Sequence, residues 1–175
     1  MARLPTGTDP AEERVLRDVD EFGWHVVKVP ADEATPGWAF TIGLFHRFGH
    51  PELIVFGLPL DVAHEVLNLT GEAIGSGKVY EDGSRHDDFL EGYSVVVRSA
   101  RPRWIGPFLG LGSWFYSQEA FPFAQLLWPD REGRMPWDPD ASPWMRDNQP
   151  LLYEDTIEAA RTAALLESMD VMPDA

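Results

Sequence analysis

Residues 40–58 read FTIGLFHRFGHPELIVFGL. Two runs rich in β-branched and aromatic residues flank a polar bend, HRFGHPE (46–52). Such runs suit a pleated, buried surface. The pattern predicts strands over 38–45 and 53–56, joined as a hairpin-like unit. Their near-continuous apolar character predicts burial on both faces. The bend carries the densest group of candidate functional side chains in the chain: His46, Arg47, His50 and Glu52.

Moving toward the N-terminus, WHVVKV (24–29) reads as another strand, ended by Pro30. Before it, Asp9-Pro10-Ala11-Glu12 is a strong helix start. Asp9 can cap, Pro10 suits the first helical position and Glu12 completes a capping box. Val15, Leu16, Val19 and Phe22 then share one face, and Gly23 supplies the stop. Residues 1–8 read as a flexible tail. Moving toward the C-terminus, residues 60–74 predict an amphipathic helix weakened by Gly71. Residues 80–92 read as a loop or exposed hairpin, and 93–98 as a strand. Residues 106–112, GPFLGLG, are too glycine-rich for a regular element, and 113–119 read as a short helix. FAQLLW (123–128) predicts a last strand. The Pro/Gly/Asp-rich segment after it lacks periodicity, and a loop of that length is usually functional or mobile. A final helix is expected over 154–169.

These elements predict an α+β fold. One domain over 9–150 would hold five or more strands in a mainly antiparallel sheet or partly closed barrel, with about three packed helices. Residues 151–175 would form an appended helix and acidic tail. The 175-residue length fits one domain, and 44% hydrophobic residues fits a globular chain. No apolar run reaches the roughly 20 residues that span a bilayer, and the N-terminus lacks the apolar core of a signal peptide. A cytoplasmic location is the expectation. The absence of cysteine excludes disulfides, thiolate metal sites and a cysteine nucleophile. A net charge of −15 argues against nucleic-acid binding and leaves a basic protein as a candidate partner. Lys28 and Lys78 are the only lysines, so arginine dominates the basic residues, as a GC-rich genome favours.

GWHVV (23–27), the long run 40–58, the asparagine within VLNL (66–69) and QLLWPDREGRMPW (125–137) stand in an order that resembles a bacterial family of unknown function, DUF4262. The resemblance covers roughly residues 20–140. It implies no activity and carries over no catalytic roles.

The residues themselves give weak chemical signals. His46 and His50 are four apart, a spacing that shares a metal ion when it lies on a helix. Gly49 and Pro51 point to a turn instead, so no metal is expected. His25, His64 and His86 complete the imidazoles available for acid–base work. No nucleophile elbow and no phosphate-cradling loop is present. Trp128, Asp130 and Trp137 follow the last strand, where sites are common. The ligand-binding candidates are therefore His46, His50, Glu52, Trp128, Asp130 and Trp137. A site is placed between the two groups, with the alternative, since strand order is not readable from sequence, that they lie at opposite ends of the sheet. The expected function is a non-catalytic binding or protein-interaction module with an acidic surface. The alternative is a small-molecule enzyme, by fold-level analogy with flavin-binding split barrels. Cofactors and oligomeric state are open.

Overall fold

The computed structural model of the protein describes residues 3–33 and 35–155. The helix and acidic tail expected near the C-terminus fall on 156–175 and lie outside the described residues. Helix α1 spans Pro10–Phe22. The Asp9 side chain accepts from the Glu12 N–H at 2.9 Å, and Gly23 closes the helix at φ 99°. Glu12 reaches back to the N–H and hydroxyl of Thr8, so part of the expected tail belongs to the cap.

Strands β1 (His25–Val29), β2 (Trp38–Ile42) and β3 (Glu52–Phe56) form an antiparallel meander. Helix α3 (Leu60–Gly75) follows, then β4 (Arg85–Leu90) and β5 (Tyr93–Ser99). Strand β6 (Phe123–Leu127) returns to the middle of the sheet, parallel to β3 and antiparallel to β5. The order is β1-β2-β3-β6-β5-β4. The sheet is thus mixed and open, with β1 and β4 as edges, and not a partly closed barrel. Among the described strands one pairing is parallel: α3 carries the chain from β3 across to the far edge, β4 and β5 return as a hairpin, and β6 fills the slot left beside β3.

Helices cover both faces. Val15 and Val19 of α1 pack with Trp38, Phe40, Ile54 and Phe56 on one side. Ala63, Val66 and Leu67 of α3 pack with Ala39, Leu53 and Val55 on the other. Alternate residues of β2 and β3 face opposite layers, so both strands are buried along their whole length. That is the physical basis of their unbroken apolar reading.

Two local expectations are corrected. Residues 44 and 45 are not strand: α2 (Leu44–Phe48) takes them and the start of the bend, and interrupts the hairpin. The glycine-rich stretch holds two short helices, α4 (Ile105–Phe108) and α5 (Gly110–Phe115). Phe108 and Phe115 there are buried in the core, and this tertiary burial overrides weak helix propensity. Of the loop and hairpin alternatives for 80–92, the hairpin is found: residues 85–90 pair as a strand with β5. A last short helix, α6, spans Pro143–Asn148.

Gly71 illustrates close packing in the family-resembling residues. The Trp24 indole lies over it, and its Nε1–H donates to Asn68 Oδ1 at 3.0 Å. A Cβ on Gly71 would come within 2.4 Å of the indole. Gly71→Ala gains about 1 kcal/mol of helix propensity. The displaced indole should outweigh this, leaving the variant about 2 kcal/mol less stable in urea unfolding. Equal or higher stability would contradict the packing.

Candidate functional site

The sheet separates the sequence candidates into two groups. Strands β3 and β6 run parallel with Glu52 opposite Phe123. The bend before β3 therefore emerges at one end of the sheet, and the segment after β6 at the other. Five strand residues at about 3.3 Å each put roughly 17 Å between them. The structure does not bring His46, His50 and Glu52 together with Trp128, Asp130 and Trp137.

At the bend, Glu52 is fully buried. Its carboxylate accepts from Thr41 Oγ1 at 2.6 Å, from the Gly43 N–H at 2.7 Å, and from the Leu44 and Phe45 N–H groups at 3.3 Å. Tyr116 donates its hydroxyl to the same carboxylate. The Tyr116 oxygen in turn accepts from the His46 N–H at 3.2 Å. The first amides of a helix have no partner within it. Here Glu52 and Tyr116 together satisfy those of α2. This explains why a helical turn forms where the apolar run reads as strand. Burial raises the pKa of Glu52 against the hydrogen bonds that lower it, the largest from Thr41. Burial and the neighbouring Glu52 charge raise that of Tyr116 as well, so its hydroxyl stays protonated.

His50 is equally committed. Its Nε2 accepts from the Tyr80 N–H at 3.0 Å, so Nδ1 carries the proton and donates to the Pro51 carbonyl at 2.8 Å. The ring meets Tyr80 edge-on. The His46 ring instead packs edge-on against Phe115. The two imidazoles thus face different neighbours. Among the described residues, no group of three His, Asp or Glu side chains could hold a metal ion.

Desolvation lowers the His50 pKa below 6.5, only partly offset by the Pro51 carbonyl. A depressed folded-state value means that its contribution to stability is complete above 6.5 and is lost as pH falls through the folded value. His50→Gln keeps a donor and an acceptor but does not titrate. It should flatten the acid limb of the stability–pH curve measured by denaturant unfolding, and an unchanged limb would show that His50 does not contribute.

The other end of the sheet holds a groove of about 950 Å³. Its walls come from the turn after β3 (Gly57, Pro59, Leu60), the β4–β5 hairpin (Leu90, Tyr93) and the segment after β6. That last segment contributes Trp128 and Arg131, and α6 adds Trp144 and Met145. Trp128 is firmly held. Its backbone N–H and C=O pair with the Gln149 amide at 3.0 and 2.8 Å, and its indole N–H donates to the Phe56 carbonyl at 2.8 Å. The Trp144 ring lies 5.9 Å away, at 61°.

Asp130 lines the groove but is spent on its own loop. Oδ1 accepts from the N–H groups of Glu132 and Arg134, each at 2.9 Å, and Oδ2 from Arg134 Nε at 2.8 Å. Asp138 Oδ2 accepts from the Met135 N–H at 2.6 Å, and Arg146 donates to the Asp138 and Pro139 carbonyls. The segment without periodicity is therefore held by side-chain-to-backbone bonds, which carry no periodic signature. Trp137 packs on Tyr153 and is not among the groove-lining residues. Sequence reasoning missed Tyr93, Arg131 and Trp144. Arg131 and Trp144 fall in or beside the WPDREGRMPW segment. Tyr93 had no signal beyond its place at the start of a strand.

A family model described as a domain of unknown function (DUF4262) matches residues 18–142. The chain belongs to this family. Trp128, Pro129, Asp130 and Arg131 lie inside the matched region, as does the whole bend; Trp144 and Met145 lie just beyond it. No curated protein and no solved structure matches the chain. No helix among the described residues is long and apolar enough to cross a membrane.

Proposed function

We propose that this DUF4262 protein is a non-catalytic binding module that holds a small molecule in the groove at the carboxyl ends of β3 and β6. The observation that carries the reading is the groove itself: concave, walled by Trp128, Trp144 and Tyr93, and fixed in shape by the Gln149–Trp128 pairing. Pockets of this size with apolar walls and few polar groups are typical ligand sites. Among the described residues its ionisable lining residues besides Tyr93 are Asp130 and Arg131, and both oxygens of Asp130 are already bonded. That favours binding over acid–base chemistry. The bend supports the same assignment, since its polar groups cap α2 rather than face a ligand.

A thermal-shift screen tests the reading with flavins, metal ions and small aromatic compounds, run on the wild type and on Trp144→Ala. Ligand binding to the folded state raises the melting temperature by mass action. An aromatic compound should stabilise the wild type, and the shift should shrink in Trp144→Ala. Shifts of equal size in both proteins would place binding elsewhere and overturn the reading. A flavin shift accompanied by a yellow protein would favour the enzyme alternative. The −15 charge supports a basic protein as a second partner. Capture of such a protein at low salt should be lost at high salt. The cysteine-free sequence and the arginine bias fit a bacterial cytoplasm.

A further inference from the structure

The groove differs in charge from the rest of this acidic molecule. Asp+Glu number 29 against 14 Lys+Arg. Yet at the groove the carboxylate of Asp130 is neutralised locally by Arg134, 2.8 Å away. Arg131 lines the same groove, and its guanidinium has no ion pair or hydrogen bond among the described residues. Among the described residues the groove therefore presents one unspent cation, Arg131, with five donor N–H bonds in a planar fork, suited to a carboxylate or similar oxyanion. Helix α3 starts at the groove without a side-chain cap, which favours negative charge there, although Asp61 in its first turn offsets part of this. The charge argument accordingly rests on Arg131.

The walls set the rest of the ligand. Trp128 and Trp144 stand at 61° with ring centres 5.9 Å apart, and Tyr93 adds a third ring. Aromatic faces and edges of this kind favour a flat, polarisable body over a flexible chain. From these two features, and resting on the binding reading above, we infer that the groove selects an aromatic monoanion: a flat ring system carrying a single acidic group, with the ring against the indoles and the acid at Arg131.

Two matched fluorescent probes test this on the full chain. 1-Anilinonaphthalene-8-sulfonate is an aromatic monoanion, and N-phenyl-1-naphthylamine has the same rings without the acid. The wild type should bind the anion about fivefold tighter, the size expected of one partly solvated, charge-assisted contact. Arg131→Gln should bring the two affinities together while leaving that of the neutral probe unchanged. Arg131 is exposed, so this variant should fold normally. Trp144→Ala should weaken both probes. Equal affinities in the wild type, or a preference that survives Arg131→Gln, would overturn the anion inference and leave the groove reading standing. Failure of both probes to bind, or indifference of both to Trp144→Ala, would instead remove the groove reading and this inference with it.

Discussion

Glu52→Ala is expected to cost about 4 kcal/mol of unfolding free energy, near the upper end for a single substitution. The truncation leaves the Thr41 hydroxyl, three backbone N–H groups and the Tyr116 hydroxyl without their acceptor, those of Thr41, Gly43 and Leu44 buried and those of Phe45 and Tyr116 half-buried. Glu52→Gln keeps one acceptor oxygen and should cost about 2 kcal/mol. The pH dependence carries a further signature. Burial raises the folded-state pKa of Glu52 above its ordinary 4.5. Its contribution is then complete below 4.5 and declines as pH rises through the raised folded value. The stability gap between wild type and Glu52→Gln should therefore narrow as pH rises across that window. A widening gap would mean that the carboxylate is favoured in its charged form. A Glu52→Ala variant of near wild-type stability would show that the network does not hold the bend.

Gly43→Ala is the second large effect. Gly43 sits at φ 112°, in the turn from β2 into α2, where a side chain is strained. A Cβ there would approach the Gly23 carbonyl oxygen and Val19 Cγ2, each to 2.8 Å. Neither can yield easily: the first is backbone at the end of α1, and Val19 is buried in the core. Strain and overpacking together should cost about 3 kcal/mol in a denaturant titration. The loss should not add to that of Glu52→Ala, because the Gly43 N–H donates to Glu52 and both changes disrupt the same turn. Full additivity would indicate that the turn and the carboxylate act independently.

What could be read in the sequence was local. Asp9, Pro10 and Gly23 mark α1 because caps act through neighbours in the chain. The β2–β3 pairing was legible because two strand-forming runs flank one bend. Helix α2 was not, because its N–H groups are satisfied by Glu52 and by Tyr116, which lies 64 residues beyond Glu52 in sequence. Gly43 and Gly49, which bound α2 at positive φ, were the available hint. The parallel neighbour of β3 was equally hidden, since nothing in ELIVF or FAQLL states which strand lies beside which. That one pairing decides that His50 and Trp128 lie at opposite ends of the sheet. It also creates the groove, whose walls come from several separate stretches of chain. Trp128 and Asp130 could be singled out because they follow a strand directly; both line the groove, although Asp130 organises its loop and presents no free carboxylate to a ligand.

The central claim is that binding takes place in the groove and that the bend is structural. The seven tryptophans report on it directly. Trp128 and Trp144 line the groove. The Trp24 indole N–H is bonded to Asn68, and that of Trp38 to the Phe108 carbonyl, both elsewhere in the fold. Trp114 lies on the same short helix as Phe115, against which His46 of the bend packs. In a ¹⁵N-edited NMR titration with N-phenyl-1-naphthylamine, the indole signals of Trp128 and Trp144 should move while those of Trp24, Trp38 and Trp114 stay in place. Movement centred on Trp114, or no preference among the seven indoles, would contradict the account.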